Sequence, residues 1–233
     1  MIASIIAFVV LLALASSFFY LKVKKVRRNI LLGRDINRND NKSERIKTML
    51  KVAFGQSKMG ARPIAAIMHL FIYVAFLITQ VELLEIIIDG VSGGHRRIWT
   101  VLQSSSFSFV YTLTINFIEI ISVLAFIATI VFLSRRNLLK IARFQKPELK
   151  GWPSKDANLI LLMEIVLIVC IMTMNATDLV LQQKGETIKT SQFLISSHLT
   201  GLFANLDVSV LHILERIGWW GHVLGIFGFL VVL

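Results

Sequence analysis

Long apolar stretches alternate with short charged ones along the chain. Five runs, 2–21, 63–88, 107–133, 157–181 and 217–233, approach or exceed the length of about 20 residues that a helix needs to cross a bilayer core. Hydrocarbon offers no partner to a free backbone N–H or C=O, so apolar runs of this length read as helices. The pattern predicts an all-α integral membrane protein, a five-transmembrane-helix bundle forming a single membrane domain over 1–233. Between the first two runs the chain turns polar, with turn signals at Gly33-Arg34-Asp35 and Asn37-Arg38-Asn39-Asp40-Asn41. From Ser43 the pattern changes again. Ile46, Met49, Leu50, Ala53 and Phe54 fall on one helical face and Arg45, Lys47 and Lys51 mostly elsewhere, which predicts a helix lying on the membrane surface. Its basic face has two readings, contact with anionic lipid headgroups or docking of a cytoplasmic partner. The segment 182–216 is longer than a turn requires and partly apolar, at Phe193, Leu194, Ile195, Leu199, Leu202, Phe203 and Leu206. It reads as a re-entrant or surface-lying lid over one mouth of the bundle.

The last run has 17 residues, about 25 Å of helix, and reaches Val231-Val232-Leu233 without a polar cap. Unpaired carbonyls at a helix end are costly in hydrocarbon. The expectation is therefore a native chain that continues past Leu233 to a polar or basic helix end.

Composition supports the membrane reading: 55% of residues are hydrophobic and the mean hydropathy is +0.72. The net charge of +11 is more informative by its placement. Thirteen of the 25 Lys and Arg lie in 22–62 and seven in 135–155; Arg96, Arg97, Lys184, Lys189 and Arg216 make up the rest. Twenty against five, in alternate loops, is the positive-inside asymmetry. It places the N-terminus outside, loops 22–62 and 134–156 in the cytoplasm, and loops 89–106 and 182–216 outside. With the basic residues spread over short loops, no folded basic domain remains for nucleic acid. Ala13-Leu14-Ala15 resembles a signal cleavage site, but the run lacks a basic leader and is followed by Lys22, Lys24, Lys25, Arg27 and Arg28, so a retained anchor is expected. The single cysteine, Cys170, excludes an internal disulfide and leaves no iron-sulfur cluster within this chain.

Two histidines fall inside apolar runs, His69 and His222. An imidazole in hydrocarbon is costly unless something binds it. Either it ligates a metal or haem, for which a neutral imidazole nitrogen is the usual axial donor, or it bonds a backbone carbonyl or a Glu between helices. His69 lies about 10 Å inside one end of its helix and His222 a similar distance inside the opposite end of its own, so the two differ in depth by roughly 10 Å and read as separate sites. The remaining histidines, His95, His198 and His212, read as solvated loop residues.

The runs also contain Glu82, Glu85, Asp89, Glu119, Glu164, Asn175 and Asp178. Acids gathered toward one face of a bundle suit proton release during quinol oxidation. Asp89 and Asp178 read as helix ends and helix-to-helix hydrogen bonds, whereas Glu85, one turn after Glu82 on nearly the same face, marks a quinone or proton site formed by Glu82 and Glu85.

The stretch Lys58-Met59-Gly60-Ala61-Arg62-Pro63-Ile64-Ala65-Ala66, with His69 and Tyr73, then Glu82-Leu83-Leu84-Glu85-Ile86-Ile87-Ile88-Asp89-Gly90 and Gly94-His95-Arg96, resembles the membrane domain of bacterial Fe-S oxidoreductases. These are relatives of the nitrate reductase gamma subunit and of the membrane subunit of heterodisulfide reductase. The tail Glu215-Arg216-Ile217-Gly218-Trp219-Trp220-Gly221-His222-Val223-Leu224-Gly225 is similar to the start of that family's last helix. The resemblance implies a multi-pass cytochrome b in the bacterial inner (plasma) membrane, binding one or two haem b groups with His69 on the inner and His222 on the outer. It would be the electron-transfer part of a quinone-linked oxidoreductase, relaying electrons between the quinone pool and a cytoplasmic iron-sulfur module. Two departures stand out. The nitrate-reductase type carries a second histidine further along the second helix, where this chain reads Ile78-Thr79-Gln80. The family's last helix also continues to another histidine and a Cys-rich domain. The reading from a different class is a haem-free membrane scaffold or transporter subunit whose buried Glu and His residues only join helices.

Overall fold

The computed structural model describes residues 2–34, 39–139, 141, 144, 146–149, 151–190 and 192–232. The turn residues 35–38 and the chain end at Leu233 lie outside them. Among the described residues the secondary structure is helical throughout, and four helices are long and apolar enough to cross a membrane: Ile2–Leu31, Pro63–Ser92, Ser108–Asn137 and Trp152–Gln183. The first is α1. The second is divided by one residue into α3 (Pro63–Ile78) and α4 (Gln80–Ser92), while the third and fourth are α6 and α7. The expected fifth run lies within α9 (Val208–Val232), long enough at 25 residues but interrupted by Glu215, Arg216 and His222, and it is not among the four.

Several helices outrun their apolar runs. α1 continues through Lys22, Lys24, Lys25, Arg27 and Arg28 to Leu31, because straight-chain basic residues are good helix formers once the helix is nucleated in lipid. α7 begins at Trp152 with Pro153 in its first turn, a position where a missing N–H costs nothing. The break between α3 and α4 has a local cause. Thr79 Oγ1 donates to the Ala75 carbonyl at 2.8 Å and Gln80 Nε2 to the Phe76 carbonyl at 2.8 Å, so side chains compete for the carbonyls of the preceding turn.

Between α1 and α3, α2 (Lys42–Met49) runs into a π-helical turn at Leu50–Phe54. Ile46, Met49, Leu50 and Phe54 all remain exposed, so among the described residues this helix has no neighbour covering its apolar face, as a surface-lying helix would.

α9 packs along α7 and α1, α3 packs on α6, and α1 touches α4. The core joins Phe8 and Ala15 of α1 to Ile86 of α4, Ala125 of α6, Ile171 of α7 and Trp219, Val223 and Phe227 of α9. Small residues permit the closest approaches. A Cβ on Gly218 would sit 2.7 Å from the Cys170 backbone oxygen, and one on Gly225 would sit 2.6 Å from Leu167 Cδ2. Among the described residues, those of connections 93–107 and 184–207 lie at one end of the bundle, the Arg96 end, and those of connections 32–62 and 138–151 at the other.

Candidate functional site

The acids in the apolar runs do not point to lipid. Glu82, Glu85, Asp89, Glu119 and Asp178 are all buried at the Arg96 end, together with Asn175, Tyr111 and the guanidinium of Arg96. Helical spacing explains the first three: Glu82, Glu85 and Asp89 are three and four residues apart, hence on one face of α4. α5 (Arg97–Leu102) follows, and it is positioned by Asp89, whose carboxylate accepts the backbone N–H of Arg96 at 2.8 Å and of Arg97 at 2.9 Å. Arg96 itself has φ +52°, a left-handed conformation uncommon outside glycine, and this carboxylate holds it there.

With its backbone fixed, the Arg96 side chain enters the bundle and is 4% exposed. Nη2 donates to Asn175 Oδ1 at 2.5 Å, Nη1 lies 3.5 Å from Glu85 Oε2 and 4.0 Å from Glu82 Oε1, and Nε lies 4.0 Å from Asp178 Oδ2. Phe193 covers the guanidinium face at 5.0 Å. Burial works against this charge, but Tyr111, Glu85, Asp178 and Glu82 around it prevail and hold its pKa above the ordinary guanidinium value.

Hydrogen bonds extend the cluster. Tyr111 Oη donates to Glu85 Oε2 at 2.7 Å, and the Trp99 N–H approaches Glu85 Oε1 at 3.4 Å. Asp178 sits between Arg96 and three further groups: His95 Nε2 at 3.1 Å, Gln182 Nε2 at 3.0 Å and Thr187 Oγ1 at 3.3 Å. The expected lid is present as a re-entrant segment. Leu194 N–H donates to Asn116 Oδ1 at 2.7 Å and Ile195 N–H to Glu119 Oε2 at 2.7 Å, while the Ser196 hydroxyl bonds Glu119 Oε1. Asn116 and Glu119 lie eight and eleven residues into α6, about 12 and 17 Å along its axis from Ser108. Irregular backbone at that depth is tolerable because side chains of α6 satisfy it.

Glu82 and Glu85, expected to act together, are thus brought together, and Asp89 and Asp178 do serve as hydrogen-bonded ties. His95 is more than a solvated loop residue, since it is half-buried on Asp178. His198 and His212 are exposed. Glu164 is half-buried in α7, 14 residues before Asp178 and about 21 Å along the helix from it. The sequence reading passed over Arg96 as one of five scattered outer-loop cations. The available signal was charge balance: several acids in apolar runs require a cation within reach.

The two membrane histidines lie on different helix pairs. His222, half-buried on α9, donates from Nδ1 to the Leu167 carbonyl of α7 at 3.1 Å. A carbonyl can only accept, so Nδ1 carries the proton and Nε2 presents a lone pair. His69 is half-buried on α3, stacked on Tyr73 with ring centroids 6.5 Å apart, and among the described residues neither of its ring nitrogens has a hydrogen-bond partner. No group of three or more His, Cys, Asp or Glu side chains arranged for a metal occurs among the described residues, so the donors available to an iron are these single imidazoles. Each fits one axial position of a b-type haem, His222 in the tautomer that a second-sphere carbonyl bond imposes on ligating histidines.

No protein-family model matches the chain, and no solved structure matches it significantly. Two curated proteins are similar to it. EtfAB:quinone oxidoreductase of Syntrophomonas wolfei is 26% identical over 226 residues, covering 93% of this chain and 29% of that protein. The probable iron-sulfur-binding oxidoreductase FadF of Bacillus subtilis is 24% identical over 231 residues, covering 99% of this chain and 30% of that protein. The chain spans about three tenths of the length of these relatives. It is a membrane protein by its four long apolar helices and has distant oxidoreductase relatives.

Proposed function

We propose that the chain is the haem b-bearing membrane domain of a quinone-linked oxidoreductase, relaying electrons between the quinone pool and an iron-sulfur module on the cytoplasmic side. In this reading α9 is a fifth span, the protein resides in a bacterial plasma membrane, and the N-terminus and the Arg96 end face outward. The loop charge asymmetry supports that orientation, and the two relatives, one an EtfAB:quinone oxidoreductase and one a probable iron-sulfur-binding oxidoreductase, support the partners.

The observation that carries the reading is His222: a membrane imidazole whose Nδ1 is tied to the Leu167 carbonyl and whose Nε2 is thereby fixed as an acceptor. Bound at such a nitrogen, a b-type haem supplies one-electron redox chemistry. The protein's own part is to hold the ring in one tautomer through the Leu167 carbonyl. His69, stacked on Tyr73 nearer the opposite end, offers a second such nitrogen. Glu82 and Glu85 form the carboxyl pair beside Arg96 at the end where quinol would be oxidised.

The same Leu167 bond is also what a histidine with only a structural task would make, which favours the haem-free scaffold as the second reading. The reduced-minus-oxidised visible spectrum of the purified membrane protein separates them. The expected result is a low-spin b-type spectrum that His222→Ala and His69→Ala each diminish, with both variants still inserted in the membrane. A featureless spectrum from the native protein would overturn the haem reading in favour of the scaffold.

A further inference from the structure

The buried acids of the Arg96 end differ in how their oxygens are served. Glu85 faces the Tyr111 hydroxyl and the Trp99 N–H. Asp89 accepts two backbone N–H groups, from Arg96 and Arg97. Glu119 accepts the N–H groups of Ile195 and Ser196 and the Ser196 hydroxyl. Asp178 faces His95, Gln182 and Thr187. Each of these carboxylates is held in place by at least two donors.

Glu82 stands apart. It is 3% exposed, and among the described residues its Oε1 has no hydrogen-bond partner. The facing cation, Arg96, lies at 4.0 Å and engages Glu85 more closely and Asn175 by a hydrogen bond. The other charged or titratable groups around it are Glu85 and Asp89 on its own helix, Tyr111 and Glu119 on α6, and Asp178 on α7 beyond the guanidinium. A proton arriving at Oε1 displaces no donor.

We propose that Glu82 is the proton-exchanging carboxyl of the Arg96 end, binding and releasing one proton while Glu85, Asp89, Glu119 and Asp178 keep their hydrogen-bond donors. Its purpose rests on the membrane electron-carrier reading. Oxidation of a hydroquinone to the quinone releases two electrons, which leave toward the iron-sulfur module, and two protons; Glu82 accepts one before passing it to the outer water, and outer water takes the other directly. The remaining acids, locked by donors, hold the loop and the helices in place around it.

Infrared difference spectroscopy of the protein in liposomes, recorded as the pH is stepped, reads this carboxyl without reference to haem. The expected result is a C=O band of a buried protonated carboxyl that bleaches as the pH is raised, is missing in Glu82→Gln, is shifted in Glu82→Asp, and persists in Glu85→Gln. A band unchanged in Glu82→Gln, or one lost in Glu85→Gln instead, would overturn the proposal. If Glu82→Gln does not fold, the shift in Glu82→Asp decides alone, and its absence counts against Glu82. A visible spectrum of the same sample keeps the two readings apart. The Glu82 band without haem upholds this inference and sinks the proposed function, whereas haem without the band sinks this inference only.

Discussion

A guanidinium buried to 4% exposure survives only among acceptors, and Arg96 has Asn175, Glu85, Glu82 and Asp178 within 4.0 Å. Removing it leaves three buried carboxyl groups facing one another with no cation between them. Breaking a buried charge cluster from one side costs about 3–5 kcal/mol, so Arg96→Ala should lower the midpoint of thermal unfolding in detergent by many degrees or abolish accumulation in the membrane. Arg96→Lys should recover only part of the loss, because a point charge cannot reach Asn175, Glu85 and Asp178 at once as a planar fork does. A midpoint for Arg96→Ala equal to that of the native protein would show that the carboxyl groups are neutralised without it. Legibility at this scale was uneven for a physical reason. The spacing of Glu82, Glu85 and Asp89 on one helical face follows from the 3.6-residue period and can be read directly. The partnership with Arg96, Tyr111 and Asn175 depends on a reversal after Gly93, which has φ +67°, and on the approach of two other helices, neither of which the sequence states.

At the scale of elements, the most extensive helix contact among the described residues is that between α7 and α9, and it depends on missing side chains. Gly218 lies against the backbone oxygen of Cys170, which cannot move aside without bending α7, whereas Gly228 has open space around its Cβ position. Gly218→Val should therefore separate the helices and cost several kcal/mol through overpacking and lost contacts. Gly228→Ala should be neutral or stabilise by roughly 0.5–1 kcal/mol through helix propensity. Heat-induced aggregation of the two variants in detergent, measured side by side, checks both; equal behaviour would mean that α7 and α9 do not meet at Gly218. The apolar runs foretold the existence of these helices but not their ends. α1 runs ten residues past its run, to Leu31, because good helix formers carry it onward, and the second run breaks at Thr79 because two side chains compete for its carbonyls. The lid was legible as an apolar excess in 182–216, and its depth was not, since that depth is set by Asn116 and Glu119 on another helix.

For the whole molecule, the charge asymmetry and the helix directions have to agree on one orientation. α1 runs from its start beside the Arg96 end, where Phe8 meets Gly90, toward the loops that contain twenty of the 25 Lys and Arg. Short basic loops resist translocation, so the Arg96 end should face outward and the opposite end the cytoplasm. The test is single-cysteine labelling in intact cells, after Cys170→Ala removes the native thiol. Cysteines at positions 40 and 146 should resist a membrane-impermeant maleimide until the cells are opened, and cysteines at 186 and 212 should react at once. Labelling of position 40 or 146 from outside would invert the bundle. It would place the Arg96 cluster, with Glu82 and the lid, on the cytoplasmic side, and any proton leaving Glu82 would then enter the cell instead of being released outside.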